Sequence, residues 1–165
     1  MACFEGARNI LLHVRWGGQM LKMNRLILAG LAVFMASAAH AENKAMSVGL
    51  VNAWYAALSP ANDLPKMQSE ITALLSEKAT IELKDLDTMQ TKAEFVESLE
   101  GWSSAIKEGY IAYKIDADST MESVTAVACY DFGGNALMTR EIFDIADMRI
   151  TKSVQETIAE RCDDF

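Results

Sequence analysis

The chain has 165 residues, of which 51% are hydrophobic and 23% charged, and a net charge of −8. That composition suits one folded domain and argues against wholesale disorder. The acidic excess argues against nucleic acid as a partner, because phosphate recognition needs clustered Lys and Arg.

Met23-Asn24-Arg25 gives a short positive start, residues 26–39 follow without a charge, and Ala39-His40-Ala41 places small residues where a signal peptidase reads them. Residues 1–41 therefore read as a secretory signal peptide cut after Ala41, and the expected compartment is the periplasm or the exterior. The apolar run is shorter than the roughly 20 residues that span a bilayer. An uncleaved anchor is the alternative; after cleavage no membrane association is expected. Residues 1–22 carry no pattern, and Met20 and Met23 offer later starts, so we read 1–22 as a start-site misassignment.

Four of the 15 basic residues (Arg8, Arg15, Lys22, Arg25) and one of the 23 acidic ones (Glu5) precede the cut, leaving a net charge of −11. His13 and His40 precede it too. A mature chain without histidine cannot run Ser-His-Asp or Cys-His chemistry and lacks the commonest zinc ligand. No metal and no cofactor is expected. Cys129 and Cys162 remain, as a disulfide or as two buried thiols; an even pair in an exported chain favours the disulfide. Met67, Met89, Met121, Met138 and Met148 are scattered and read as gap-filling rather than copper ligands.

Along residues 42–165, Val48, Val51, Tyr55 and Leu58 recur at helical spacing, with Trp54 beside them. Residues 59–63 break that helix, and Asp63 caps a second with Pro65 in its first turn and a stripe of Leu64, Met67, Ile71, Leu74 and Leu75. Residues 80–83 alternate as a short strand, and 84–90 form a polar connection. Thr91-Lys92-Ala93-Glu94 is a capping box for a helix carrying Phe95, Leu99, Trp102 and Ile106. Strands are expected over 110–116, 124–132, 136–145 and 149–158, with Gly133-Gly134-Asn135 and Ala146-Asp147-Met148 as turns. The order predicts one α+β domain, with about three N-terminal helices against a cone-like, curved antiparallel sheet.

Trp54-Tyr55-Ala56-Ala57-Leu58, the run from Leu74 through Ala79-Thr80-Ile81-Glu82, and the turn Asp147-Met148-Arg149-Ile150 resemble motifs of the nuclear transport factor 2-like superfamily, which includes SnoaL-like cyclases and ketosteroid isomerases. The resemblance implies a half-barrel closed around a pocket by its helices, often a homodimer through the sheet. Met148 stands where the family usually has glycine, which puts the geometry of that turn in doubt. Isomerase chemistry in this family uses a carboxylate base, a first-helix Tyr and a protonated acid. By motif, the base position falls on Leu83, the Tyr position on Trp54 with Tyr55 adjacent, and the acid on Glu141. Only one role survives in type, so that arrangement is disfavoured, and Glu141 is the sole weak catalytic candidate.

Glu141 shares a strand face with Thr139 and Phe143; it is either a ligand contact or one half of an ion pair, while Arg140 points the other way. Trp102, Tyr110, Tyr113 and Tyr130 either line a pocket or fill the core, and Gln155 is the best candidate to orient a ligand. The ligand-binding set is Tyr55, Trp102, Tyr130, Glu141 and Gln155. Glu82, Asp85 and Asp87 read as a solvated acidic loop, with a pocket rim as the alternative. Walker, Rossmann, Cys-x-x-Cys and Gly-x-Ser-x-Gly patterns are missing. The expectation is an exported domain that binds a small apolar or amphipathic molecule, with a SnoaL-like enzyme or an envelope interaction module as alternatives.

Overall fold

The computed structural model describes residues 42–163 and 165; the expected leader and its cleavage site lie outside them. Helix α1 includes residues 42–57 and buries Val51, Trp54 and Tyr55. Helix α2 (Leu64–Leu74) starts at Asp63, whose carboxylate accepts the Lys66 amide at 2.9 Å. Pro65 sits in its first turn, where a missing N–H leaves no bond unmade.

Leu75 belongs not to α2 but to strand β1 (Leu75–Leu83), which is longer than the alternating stretch suggested. A register break between Leu75 and Thr80 interrupts the period-2 pattern that would have revealed it. The expected polar connection holds a 3-10 turn (Lys84–Leu86) and a short strand β2 (Thr88–Thr91) paired antiparallel to β1. β2 is a largely exposed edge strand, so its composition is polar and no apolar alternation marks it. Helix α3 (Lys92–Ala105) opens on the expected capping box, with Thr91 and Glu94 satisfying each other's amides.

Strands β3 (Tyr110–Ile115), β4 (Ser123–Asp131), β5 (Ala136–Ala146) and β6 (Arg149–Ala159) form where strands are expected, and consecutive ones pair antiparallel. The sheet order is β2-β1-β6-β5-β4-β3. β1 runs parallel to β6, so the sheet is mixed rather than wholly antiparallel. Along β5, Thr139, Glu141, Phe143 and Ile145 are buried while Arg140, Ile142 and Asp144 are exposed, which fixes the inner and outer faces. The β5–β6 turn keeps positive φ at both central residues, 49° at Asp147 and 57° at Met148. This is the geometry of a primed two-residue hairpin, so the loss of glycine leaves the turn's shape intact and puts its cost on Met148. Cys129 and Cys162 form a disulfide with a Cα separation of 5.7 Å, which fastens the C-terminal tail to β4.

Candidate functional site

A cavity of about 670 Å³ lies between α3 and the inner face of the sheet. Phe95, Ser98, Leu99, Trp102 and Ala105 of α3 form one wall. The same stripe that reads as core in the sequence is thus shared between core and cavity. The opposite wall comes from Tyr130 on β4, Leu137 and Thr139 on β5, and Gln155 and Thr157 on β6. Phe132 adds a fourth aromatic ring. Leu83, Asp85, Leu86 and Gln90 close one end.

Trp102 is held by three contacts. Its indole N–H donates to the Leu58 carbonyl at 3.3 Å, and its ring meets Tyr130 and Phe132 edge-on at 5.1 and 5.6 Å. Such near-perpendicular pairs place a positive ring edge against a negative face. Tyr130, in turn, is tied from behind: its hydroxyl donates to Glu141 Oε1 at 2.5 Å. Thr139 Oγ1 donates to the same oxygen at 2.9 Å, and Tyr55 donates to Oε2 at 3.0 Å.

Glu141 is fully buried, and the ion-pair alternative is not what forms: three hydroxyls surround the carboxyl instead. Burial raises its pKa, and the hydrogen bonds from Tyr130, Thr139 and Tyr55 pull it back only in part. Burial, and then the charge of Glu141, pushes both tyrosines upward, so each keeps its proton.

Of the ligand-binding set, Trp102, Tyr130 and Gln155 line the cavity, whereas Tyr55 and Glu141 do not. Tyr55 is turned into the core, stacked on Tyr113 at 4.1 Å and edge-on to Phe143 at 6.2 Å. Glu141 stands behind the wall formed by Tyr130 and Thr139. Tyr113 and Tyr110 are likewise absent from the lining: the Tyr113 hydroxyl donates to Asn52, and Tyr110 is half exposed at the edge strand. Trp54, at the family's Tyr position, is fully buried and stacked on Phe95 at 5.2 Å. Among the described residues, its Nε1 has no hydrogen-bond partner, and neither has the buried Oε1 of Gln90.

The acidic loop divides. Glu82 pairs with Lys152 at 2.9 Å, and Glu82 and Asp87 do not line this cavity. Asp85 does border it, and its carboxylate accepts the Thr157 amide at 2.7 Å. Hydrogen bonds from Thr157 hold the Asp85 carboxyl below the usual range. Leu137 and Thr139 lie outside the expected ligand-binding set, although the β5 alternation puts both on the face of Glu141. Gln90 carries no such signal, because β2 is short and polar and shows no apolar alternation.

No family model matches the chain, and no curated protein matches it. Solved structures do. A candidate ketosteroid isomerase from Kribbella flavida superposes with a TM-score of 0.58 at 14% identity, covering 73% of this chain and 83% of that one. A nuclear transport factor 2-like protein of unknown function from Burkholderia xenovorans gives 0.57 at 8% identity, over 70% and 84%. A candidate polyketide cyclase from Xanthomonas campestris pv. campestris gives 0.52 at 20% identity, over 68% and 90%. Identities this low speak for architecture and not for activity. The helices followed by a six-strand mixed sheet thus share the overall fold of these ketosteroid isomerase-like and nuclear transport factor 2-like structures.

Proposed function

We propose that the protein is exported and binds a small apolar or amphipathic molecule in the cavity between α3 and the sheet, without catalysing its conversion. The carrying observation is Leu83: the position where the resemblance puts a proton-abstracting carboxylate is an isobutyl group on the cavity wall. The volume of about 670 Å³ lies within the range of small-molecule sites, and most of the lining is aliphatic or aromatic. Export is supported by the leader pattern of residues 1–41 and agrees with the Cys129–Cys162 disulfide. N-terminal sequencing of the protein recovered from the periplasm or medium checks this: Glu42 is the expected first residue.

Gly101 borders the cavity, and a Cβ added there meets nothing within 4 Å. Gly101→Trp is therefore a filling variant with little backbone cost. Nile red, a neutral apolar dye, is expected to bind the wild type saturably at one site and to lose at least tenfold in affinity to Gly101→Trp. No saturable binding, or equal binding by the variant, would overturn the reading.

A second reading, a SnoaL-like enzyme, draws on Glu141 with its raised pKa behind Tyr130, which does reach the cavity. Glu141→Gln separates the two, because turnover of any identified substrate would collapse under this reading. A homodimer through the outer sheet face is part of the proposal, supported by the exposed Ile142 and Ile158. Sedimentation equilibrium reads it directly.

A further inference from the structure

Three methionines far apart in the chain meet at one end of the sheet. Met46 on α1, Met121 in the connection between β3 and β4, and Met148 in the β5–β6 turn line one open cavity of about 700 Å³. It shares no lining residue with the cavity beside α3. Met67 is fully buried and fills the core, as its apolar stripe predicts. Met46, Met121 and Met148 are instead 40%, 39% and 47% exposed, so gap-filling accounts for Met67 and not for these three.

The three backbones are pinned to one another. Ser47, next to Met46, donates its hydroxyl to the Met121 carbonyl at 2.5 Å, and Lys44 donates to the Ala117 carbonyl at 2.7 Å. The Ile145 amide donates to the Glu122 carbonyl at 2.8 Å, and Thr151 Oγ1 donates to the Asp144 carbonyl at 3.1 Å across the turn that carries Met148. Each side chain keeps three rotatable bonds with which to turn its sulfur inward. Met148 adds an independent sign. It holds φ 57°, where glycine is free of strain, yet it is not buried. A thioether kept at a backbone cost without burial points to a use for its sulfur.

A thioether is a soft, uncharged donor that selects monovalent copper over harder ions. Cys129 and Cys162 are joined to each other, so neither offers a competing thiolate. Glu122, Asp144 and Asp147 also border the cavity, but Asp144 accepts from Ser123 at 3.4 Å and lies opposite Lys152 in the sheet. Among the described residues no three His, Cys, Asp or Glu side chains are grouped to hold a metal, so the carboxylates make no site by themselves. We propose that Met46, Met121 and Met148 form a Cu(I) site with their three sulfurs as ligands. Neither cavity's assignment depends on the other.

Competition with bicinchoninate, anaerobically and with ascorbate to hold copper as Cu(I), tests it on the disulfide-bonded mature protein. The wild type is expected to withdraw one equivalent of Cu(I). M46L/M121L/M148L keeps the apolar volume, removes the sulfurs and is expected to bind at least about tenfold more weakly. M89L/M138L, outside this cavity and including the more exposed Met89, is expected to bind as the wild type does. Labelled methionine methyl signals give a second reading that needs no variant. Silver(I), a redox-stable analogue, is expected to shift Met46, Met121 and Met148 and to leave Met67, Met89 and Met138 in place. Excess Zn(II) is expected not to reverse those shifts. No withdrawal of copper, an equal loss in M89L/M138L, or silver shifts at Met89 as large as at the three would overturn the site. Displacement of silver by Zn(II) would assign the ion to the carboxylates and overturn it too.

Discussion

The Tyr130 hydroxyl and Glu141 Oε1 lie 2.5 Å apart, with both side chains buried and only the tyrosine reaching the cavity. The carboxyl thus acts on the cavity through its neighbours: it orients Tyr130 and Thr139. That contact also makes Glu141 a source of pH dependence. In the unfolded chain its carboxyl ionises near the ordinary value of 4.5, and in the folded chain at a higher pH. Between those two values only the folded chain holds the proton, so this group's contribution is fully present below 4.5 and declines as pH rises through the folded value. Glu141→Gln is expected to abolish that decline. Glu77, Glu82, Asp85 and Glu94, held low by their partners, act oppositely and lose stability as pH falls. Urea denaturation of both proteins from acid to neutral pH isolates the Glu141 component as a difference; parallel curves would refute it.

Tyr55 and Tyr130 serve the same carboxyl from different sides of the wall. Removing either hydroxyl takes a donor from a buried acid, at a cost of about 1.5–3 kcal/mol. Tyr55→Phe and Tyr130→Phe are both expected to destabilise the fold by that amount and to push the Glu141 pKa further up. Only Tyr130→Phe should also alter Nile red affinity, because Tyr55 is absent from the lining. A matched loss of binding in both variants would mean that the dye senses global stability instead of the wall.

Met148 occupies the left-handed region at φ 57° with nearly half of its surface exposed. A β-carbon there is strained, and glycine is not. Met148→Gly is expected to raise stability by about 0.5–1 kcal/mol, read as a higher denaturation midpoint with an unchanged slope. An unchanged or lower midpoint would show that the Met148 side chain returns more in contacts than its backbone loses.

The Cys129–Cys162 disulfide closes a loop with a sequence separation of 33. By loop entropy, the double serine variant is expected to lose about 2–4 kcal/mol. Thermal melts of that variant, and of the wild type with and without reductant, check the value. Two reactive thiols in the unfolded, unreduced protein would contradict the bond itself.

Local signals carried far into this fold. The Asp63 cap, the Thr91–Glu94 capping box and the turns after Asp131 and Ala146 each depend on residues close in the chain, and each formed where its residue types predicted. β1 is legible only over residues 80–83, and β2 not at all. One has its alternation broken by a register shift, and the other is a polar edge strand with no buried face to mark it.

The sequence by itself determined the α+β order, the four strands of the second half, the apolar side chain at position 83 and the residue types on each strand face. These follow from period, capping and turn chemistry, which act over a few residues. Only the tertiary structure decided which inward side chains meet the cavity and which stop behind its wall. Tyr55 and Tyr130 are both buried aromatics at regular spacing, yet one is core and one is lining, because α1 and α3 cover different parts of the same curved sheet. Gly109 makes the same point from the backbone. Nothing local marks it, but an added Cβ would sit 1.8 Å from the Asp131 carbonyl oxygen, a close approach set by the pairing of β3 with β4.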